Sequence, residues 1–235
     1  MKKHIPNTIT CCNLVCGCIA TYFAFQAKFD LALYFIIGGA VFDFFDGFTA
    51  RLLHVSSPIG KELDSLADDI TFGFAPAAIV FSMLRLLPPF VENETLAHIF
   101  HEYVPYVAFV IAAFSALRLA KFNLDERQST SFIGLPTPAN ALFWGAFILG
   151  TKDQLLHLEY TMPLLIVGVL VSSWLLVAEI PMFALKFKSY GVAANKLKYS
   201  FIMFSAIMLA FFGWTGFSFI IVAYIILSIL NNIKK

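Results

Sequence analysis

The sequence describes an all-α polytopic bundle embedded in a membrane, with about eight transmembrane helices, and three observations lead there. Of its 235 residues 60% are hydrophobic and 13% charged, whereas a soluble domain carries about 25% charge. The apolar residues gather in runs of roughly 16 to 25, the length a helix needs to cross a hydrocarbon core of about 30 Å. Lysine and arginine fall on alternate connections rather than at random. The net charge of +1 says little, because in such a chain the location of charge matters more than its sum.

The spans are expected at about 9–27, 30–53, 63–87, 103–121, 136–151, 162–180, 198–213 and 215–231. The fifth is short for a crossing, and the last two form a hairpin around Gly213-Trp214-Thr215-Gly216. Met1-Lys2-Lys3-His4 begins like the n-region of a signal peptide. No small-residue cleavage site closes the run that follows, so the first helix is expected to remain as an anchor. With both termini in the cytoplasm, the inner side holds Lys2, Lys3, Arg51, Lys61, Arg118, Lys121, Arg127, Lys186, Lys188, Lys196, Lys198, Lys234 and Lys235. The outer side holds only Lys28, Arg85 and Lys152. Thirteen against three supports both the span count and the orientation. The outer loop 88–102 is acidic, with Glu92, Glu94 and Glu102. No linker, low-complexity tract or internal repeat divides the chain, so residues 1–235 are read as one domain.

All four cysteines, Cys11, Cys12, Cys16 and Cys18, lie in the first span. A metal or redox cluster is one reading. Small apolar packing residues are the other, favoured because no His or Cys elsewhere completes a tetrahedral set; no disulfide is needed.

Against this oily background stand Asp43-Phe-Phe-Asp46-Gly47-Phe-Thr-Ala50-Arg51 and Gly60-Lys-Glu-Leu-Asp64-Ser-Leu-Ala-Asp68. Asp43 and Asp46 share one helix face, and so do Asp64 and Asp68. An aspartate at the centre of a membrane helix costs about 2.5–3.5 kcal/mol on insertion scales, so four on consecutive spans require compensation. The short connection 54–62 makes the two spans antiparallel neighbours, and their acidic faces are expected to meet near the cytosolic leaflet. Carboxylates without His or Cys favour hard cations such as Mg²⁺, Mn²⁺ or Ca²⁺. Four are enough to hold two ions, an arrangement suited to in-line displacement at phosphorus. Gly47, Ala50 and Gly60 leave room for a bulky ligand, and Arg51 can fork onto a phosphate. Taken singly, each small residue is equally a helix-packing residue.

Asp-x-x-Asp-Gly-x-x-Ala-Arg, then eight residues, then Gly-x-x-x-Asp-x-x-x-Asp, resembles the signature of the CDP-alcohol phosphatidyltransferase family, with every fixed position filled. The resemblance implies a helical membrane domain, usually a homodimer and with a six-helix core in the family, whose polar cavity opens to the cytoplasm. It implies Asp43, Asp46, Asp64 and Asp68 as ligands of a divalent metal, Mg²⁺ or Mn²⁺ and two ions. Asp68 would also be the general base. Gly47, Ala50, Arg51 and Gly60 would line the CDP site. The implied reaction is attack by an alcohol hydroxyl on the β-phosphorus of a CDP-linked lipid, with loss of CMP. Asp69 matches no family position and is read as an ancillary polar group.

Three further stretches resemble the phosphatidylserine synthase branch: 64–77, 116–123 around Arg118, Lys121 and Asn123, and 132–139 around Gly134, Pro136 and Pro138. The similarity runs over about residues 5–140. Lys121 stands where that branch has arginine, which keeps the charge and loses the fork. The resemblance implies CDP-diacylglycerol and L-serine as substrates, the cell (inner) membrane as the location, and no nucleic-acid partner. A zwitterionic acceptor needs a cation for its carboxylate, and Arg118 or Lys121 is the expected source, with Asn123 adding a hydrogen bond. Positive-inside anchoring explains the two cations equally well. Pro136 and Pro138 are expected to shape the entry to the fifth helix. Asn7 and Thr10 have two readings, contact with the nucleotide or N-capping of the first span. His54 is expected to be a solvated loop residue, and His4, His98, His101 and His157 show no metal spacing. Lys186, Lys188, Lys196 and Lys198 are explained by topology. The rival acceptors are glycerol 3-phosphate and an inositol phosphate, which would want more basic residues than these. A cation-coupled transporter is the rival of another class. It suits neither acids clustered at one membrane face nor the lack of an inverted repeat.

Overall fold

A computed structural model describes residues 4–88, 93–125, 132–183, 191 and 195–233. Lys2, Lys3, Glu92, Arg127, Lys186, Lys188, Lys234 and Lys235 of the charge pattern lie outside the described residues. Helices stand at all eight expected places. Five of these are long and apolar enough to cross a membrane: His4–Phe25, Phe29–Leu52, Pro58–Leu86, Glu94–Leu124 and Trp214–Asn232. The chain is an all-α, multi-pass membrane protein.

Helix α1 (His4–Phe25) begins earlier than its apolar run. Its first hydroxyl is satisfied by the helix itself: Thr8 Oγ1 donates to the His4 carbonyl at 2.8 Å. A tight turn with Ala27 at φ +56° reverses the chain into α2 (Phe29–Leu52). The third span also starts ahead of its apolar run. Ser57 caps α3 (Pro58–Asp68) by accepting from the Gly60 amide at 3.0 Å, and Pro58 occupies the first turn, where its missing N–H costs nothing. The rod then widens into a π-helical stretch, Asp69–Phe74, before continuing as α4 (Ala75–Leu86). Pro76 lies in the first turn of α4, so the wide turn sits where the helix must accommodate a residue without an N–H.

The fourth span is also composite. α5 (Glu94–Tyr103), capped by Asn93, passes through a 3-10 stretch at Val104–Phe109 that contains Pro105, into α6 (Val110–Leu124). The fifth helix, α7 (Thr137–His157), is 21 residues long and exceeds the short run expected for it; Pro136 stands at its N-cap position without a capping bond, and Pro138 lies in its first turn. α8 (Thr161–Val177) and α9 (Lys196–Phe212) have 17 residues each. Gly213, at φ +54°, makes the hairpin into α10 (Trp214–Ile233). The sequence did not suggest the antiparallel ladder of two residues per strand in which β1 (Phe132–Ile133) pairs with β2 (Pro181–Met182). It clips the connections after α6 and α8 together.

The main core lies between α1, α2, α4 and α7, where Ala20, Ala32, Ile36, Phe72, Ile79, Met83, Trp144 and Ile148 are buried. Trp144 Nε1 donates to Ser172 Oγ at 3.0 Å and joins α7 to α8. Close approach at the acid-bearing end of the bundle depends on two glycines. A Cβ on Gly17 would run into Thr71, and one on Gly39 would lie 2.8 Å from Asn13 Oδ1. These contacts draw α1, α2 and the π stretch together around the acidic faces. Large apolar side chains such as Phe44, Trp174 and Phe211 are exposed, as suits a surface facing lipid. All four cysteines are free; Cys16 is buried, and Cys11 and Cys18 are exposed.

Candidate active site

Helix α1 packs against both α2 and α3, and with the contact of α2 to the π stretch this brings the two acidic faces together, as their helical spacing predicts. One carboxylate oxygen from each of Asp43, Asp64 and Asp68 lies within 4.8 Å of the others. Three negative charges at this distance repel strongly unless a cation neutralises them. Asp64 Oδ1 is buried without a hydrogen-bond partner, as expected of an atom that awaits a ligand. An all-oxygen donor set fits a hard divalent cation. The acidic trio is therefore a site able to hold a metal.

Asp46 stands beside this trio with its own support. It is 6% exposed, and its Oδ2 accepts from Thr10 Oγ1 at 2.6 Å. Asp68 Oδ1 accepts from Asn13 Nδ2 at 3.0 Å. The Asn13 carbonyl in turn accepts from Thr71 Oγ1 at 3.0 Å, which ties α1 to the π stretch. One face of α1 thus orients two of the four carboxylates. Neither Thr10 nor Asn7 caps a helix, because α1 begins at His4.

A cleft of about 280 Å³ adjoins the acids. Of the residues expected to hold CDP, Asn7, Thr10, Gly47, Ala50 and Gly60 line it, together with Asp46 and Asp64. Gly60 is needed for width, since a Cβ there would lie 3.0 Å from both Asn7 Oδ1 and Ser57 Oγ. Arg51 is exposed in the last turn of α2 and does not line the cleft, although its Nη1 would lie 3.5 Å from a Cβ on Gly47. His54 follows α2 with φ +51°.

The three residues expected at the acceptor separate. Arg118 and Lys121 line a second cavity of about 400 Å³. Arg118 is 7% exposed, and its guanidinium lies over the Phe122 ring at 5.1 Å from the centroid. Asn123 faces α3 instead: its Nδ2 donates to Ser65 Oγ at 2.7 Å, and its carbonyl accepts from Lys61 Nζ at 2.8 Å. Asp69 begins the π stretch, and its buried Oδ1 has no hydrogen-bond partner.

Sequence reasoning missed Asn13, Lys61 and Ser57. Asn13 carried a readable signal, an amide in the middle of an apolar helix, three residues beyond Thr10 and six beyond Asn7. Lys61, which lines the cleft, lay inside the motif but at one of its variable positions.

Comparison with known proteins agrees with this geometry. Residues 3–230 match the family described as CDP-alcohol phosphatidyltransferase. The CDP-diacylglycerol–serine O-phosphatidyltransferase of Bacillus subtilis is 33% identical over 178 residues, which cover 76% of this chain and 89% of that protein. The protein of the same name from Helicobacter pylori is 32% identical over 139 residues, 58% of this chain and 54% of its own length, so the chain spans about half of it. Its namesake in Saccharomyces cerevisiae is 58% identical over 116 residues, covering 46% of this chain and 37% of that protein. A family match over nearly the whole length, on a chain whose motif acids converge beside a cleft, settles the affiliation: the chain belongs to the CDP-alcohol phosphatidyltransferase family.

Proposed function

We propose that this protein transfers the phosphatidyl group of CDP-diacylglycerol to L-serine, giving phosphatidylserine and CMP. The observation that carries the reading is the convergence of Asp43, Asp64 and Asp68 beside a cleft lined by the remaining motif residues. The names of the relatives supply the acceptor.

In this reading Asn7, Thr10, Gly47, Ala50 and Gly60 receive the cytidine diphosphate, and Arg51 reaches it from the end of α2. Asp43, Asp46, Asp64 and Asp68 hold two divalent ions, Mg²⁺ or Mn²⁺. When bound, such ions neutralise the diphosphate and stabilise the departing phosphate. Asp68 takes the proton of the serine hydroxyl as that oxygen attacks the β-phosphorus. Asn13 fixes the orientation of the Asp68 carboxylate by donating to one oxygen, which leaves the other for the proton. Thr10 does the same for Asp46. Arg118 and Lys121 supply positive charge for the acceptor, and Asn123 braces α6 against α3. The whole of residues 1–235 acts as one domain, a homodimer in the cell (inner) membrane with both termini in the cytoplasm. There the CDP-lipid and a soluble alcohol can both reach the cleft.

The test supplies purified protein with CDP-diacylglycerol, divalent metal and either labelled serine or labelled glycerol 3-phosphate. Label from serine is expected in lipid. Incorporation of glycerol 3-phosphate alone would refute the serine assignment.

A further inference from the structure

The π stretch begins directly after Asp68, and it carries a buried hydroxyl that the transfer scheme leaves unused. Thr71 is fully buried there. Away from water a hydroxyl needs an acceptor inside the protein, and Thr71 Oγ1 donates to the Asn13 carbonyl of α1 at 3.0 Å. That carbonyl also belongs to the backbone ladder of α1, so the threonine adds a second bond to an oxygen with two lone pairs. Helix α1 does not need this bond to form. The side chain of the same asparagine donates to Asp68 Oδ1 at 3.0 Å. One rod thus holds Asn13 twice, at its backbone through Thr71 and at its amide through Asp68. A change of ladder register often marks a functional site, and here it accompanies this double contact.

Packing fixes Thr71 from two helices. On α1, a Cβ at Gly17 would run into Thr71 Oγ1 and lie 2.9 Å from the Thr71 Cα. On α2, a Cβ at Gly39 would lie 2.5 Å from Thr71 Cγ2 and 2.8 Å from Asn13 Oδ1. Gly39 stands one turn before Asp43 on the same helix face. The hydroxyl therefore meets α1 and the methyl meets α2, each where only a hydrogen fits, and a β-branched side chain keeps both in place. Thr71 lines neither the acidic cleft nor the second cavity.

Resting on the part given to Asp68 above, we propose that Thr71 is a positioning residue for the transfer. Its hydroxyl fixes Asn13 against the rod, and the Asn13 amide so placed holds the Asp68 carboxylate in one orientation. Without that bond the amide and the carboxylate have more than one arrangement, and the catalytic geometry is occupied for only part of the time. Substrate binding does not depend on Thr71, because the residue reaches neither cavity.

The experiment measures steady-state kinetics of the full chain with CDP-diacylglycerol, divalent metal and an acceptor alcohol. Thr71→Val keeps the branched shape between Gly17 and Gly39 and removes only the donor. It is expected to lower kcat roughly tenfold, the lower end of the range for groups that orient a ligand from outside the site. Both KM values should stay within about threefold. Thr71→Ser restores the hydroxyl without the methyl and should bring kcat back to within about threefold of the wild type. Because Thr71 acts through Asn13, adding Thr71→Val to Asn13→Ala should cost nothing beyond Asn13→Ala alone. An unchanged kcat in Thr71→Val, equal losses in the valine and serine variants, or a double variant in which the two losses multiply would overturn the proposal. So would a Thr71→Val protein too unstable to assay, read by thermal unfolding in detergent, since that marks a structural role. The kinetics are read with whichever alcohol the wild type accepts. A wild type that transfers to none refutes the function proposed above, and an Asp68→Asn protein with full turnover refutes the part given there to Asp68.

Discussion

The cleft at the acidic motif and the cavity at the end of α6 are neighbours, yet they were written into the chain in different ways. The cleft is local: its carboxylates come from two consecutive helices joined by a short turn, and the spacings along each helix already place them on facing surfaces. The cavity is assembled from α6, the end of α8 and the β1–β2 clip, segments some fifty residues apart in sequence. Chemistry that can be built from adjacent helices is fixed by a motif. In the proposed function the charge that meets the acceptor comes instead from a region built by long-range packing, which can vary without disturbing the transfer.

The sharpest way to break this division is at Asp68. Asp68→Asn should lower kcat by about 10²–10⁴-fold, the range of general-base catalysis. CDP-diacylglycerol binding, followed by displacement of labelled nucleotide, should persist. Turnover close to that of the wild type would remove the base from the scheme. Next in size is Asn13→Ala. Its amide touches Asp68 and not the substrate, so the loss should resemble that of a group supporting a metal ligand, about 10- to 100-fold in activity or in metal affinity. Titrating Mg²⁺ against activity reads which, and a merely structural asparagine would move neither.

Arg118→Lys tests the other region. It keeps the charge and loses the planar fork, so the KM for serine should rise by about tenfold while the KM for CDP-diacylglycerol holds. Equal increases in both would merge the two regions into one. The smallest effect belongs to Asn123→Ala. Because its side chain bonds to Ser65, serine KM should change less than about threefold. The cost should appear instead as roughly 1 kcal/mol of stability, read by thermal unfolding in detergent.

Much of the fold was legible because membrane helices announce themselves by length and hydropathy. The departures have local causes. The first and third spans start earlier than their apolar runs because Ser57, Pro58 and the hydroxyl of Thr8 extend helix into polar sequence. The π stretch at Asp69–Phe74 was hidden because it changes hydrogen-bond register without changing composition. At the site the motif gave the acids, and the structure placed Asn7 and Thr10 at the cleft instead of at a cap. The bond of Asn123 to Ser65 could not be read from the sequence, because its orientation at the end of α6 depends on α3, which it meets across 58 residues of sequence.

The central claim is that the acidic cleft is a metal-dependent phosphatidyl-transfer site fed by a hydroxyl. Its most direct test follows CMP released from CDP-diacylglycerol by purified protein, with serine present or withheld and with divalent metal or a chelator. CMP release that requires both serine and metal, matched by phosphatidylserine formed, is the predicted result. Release at the same rate without metal, or without any lipid product from serine, would contradict it.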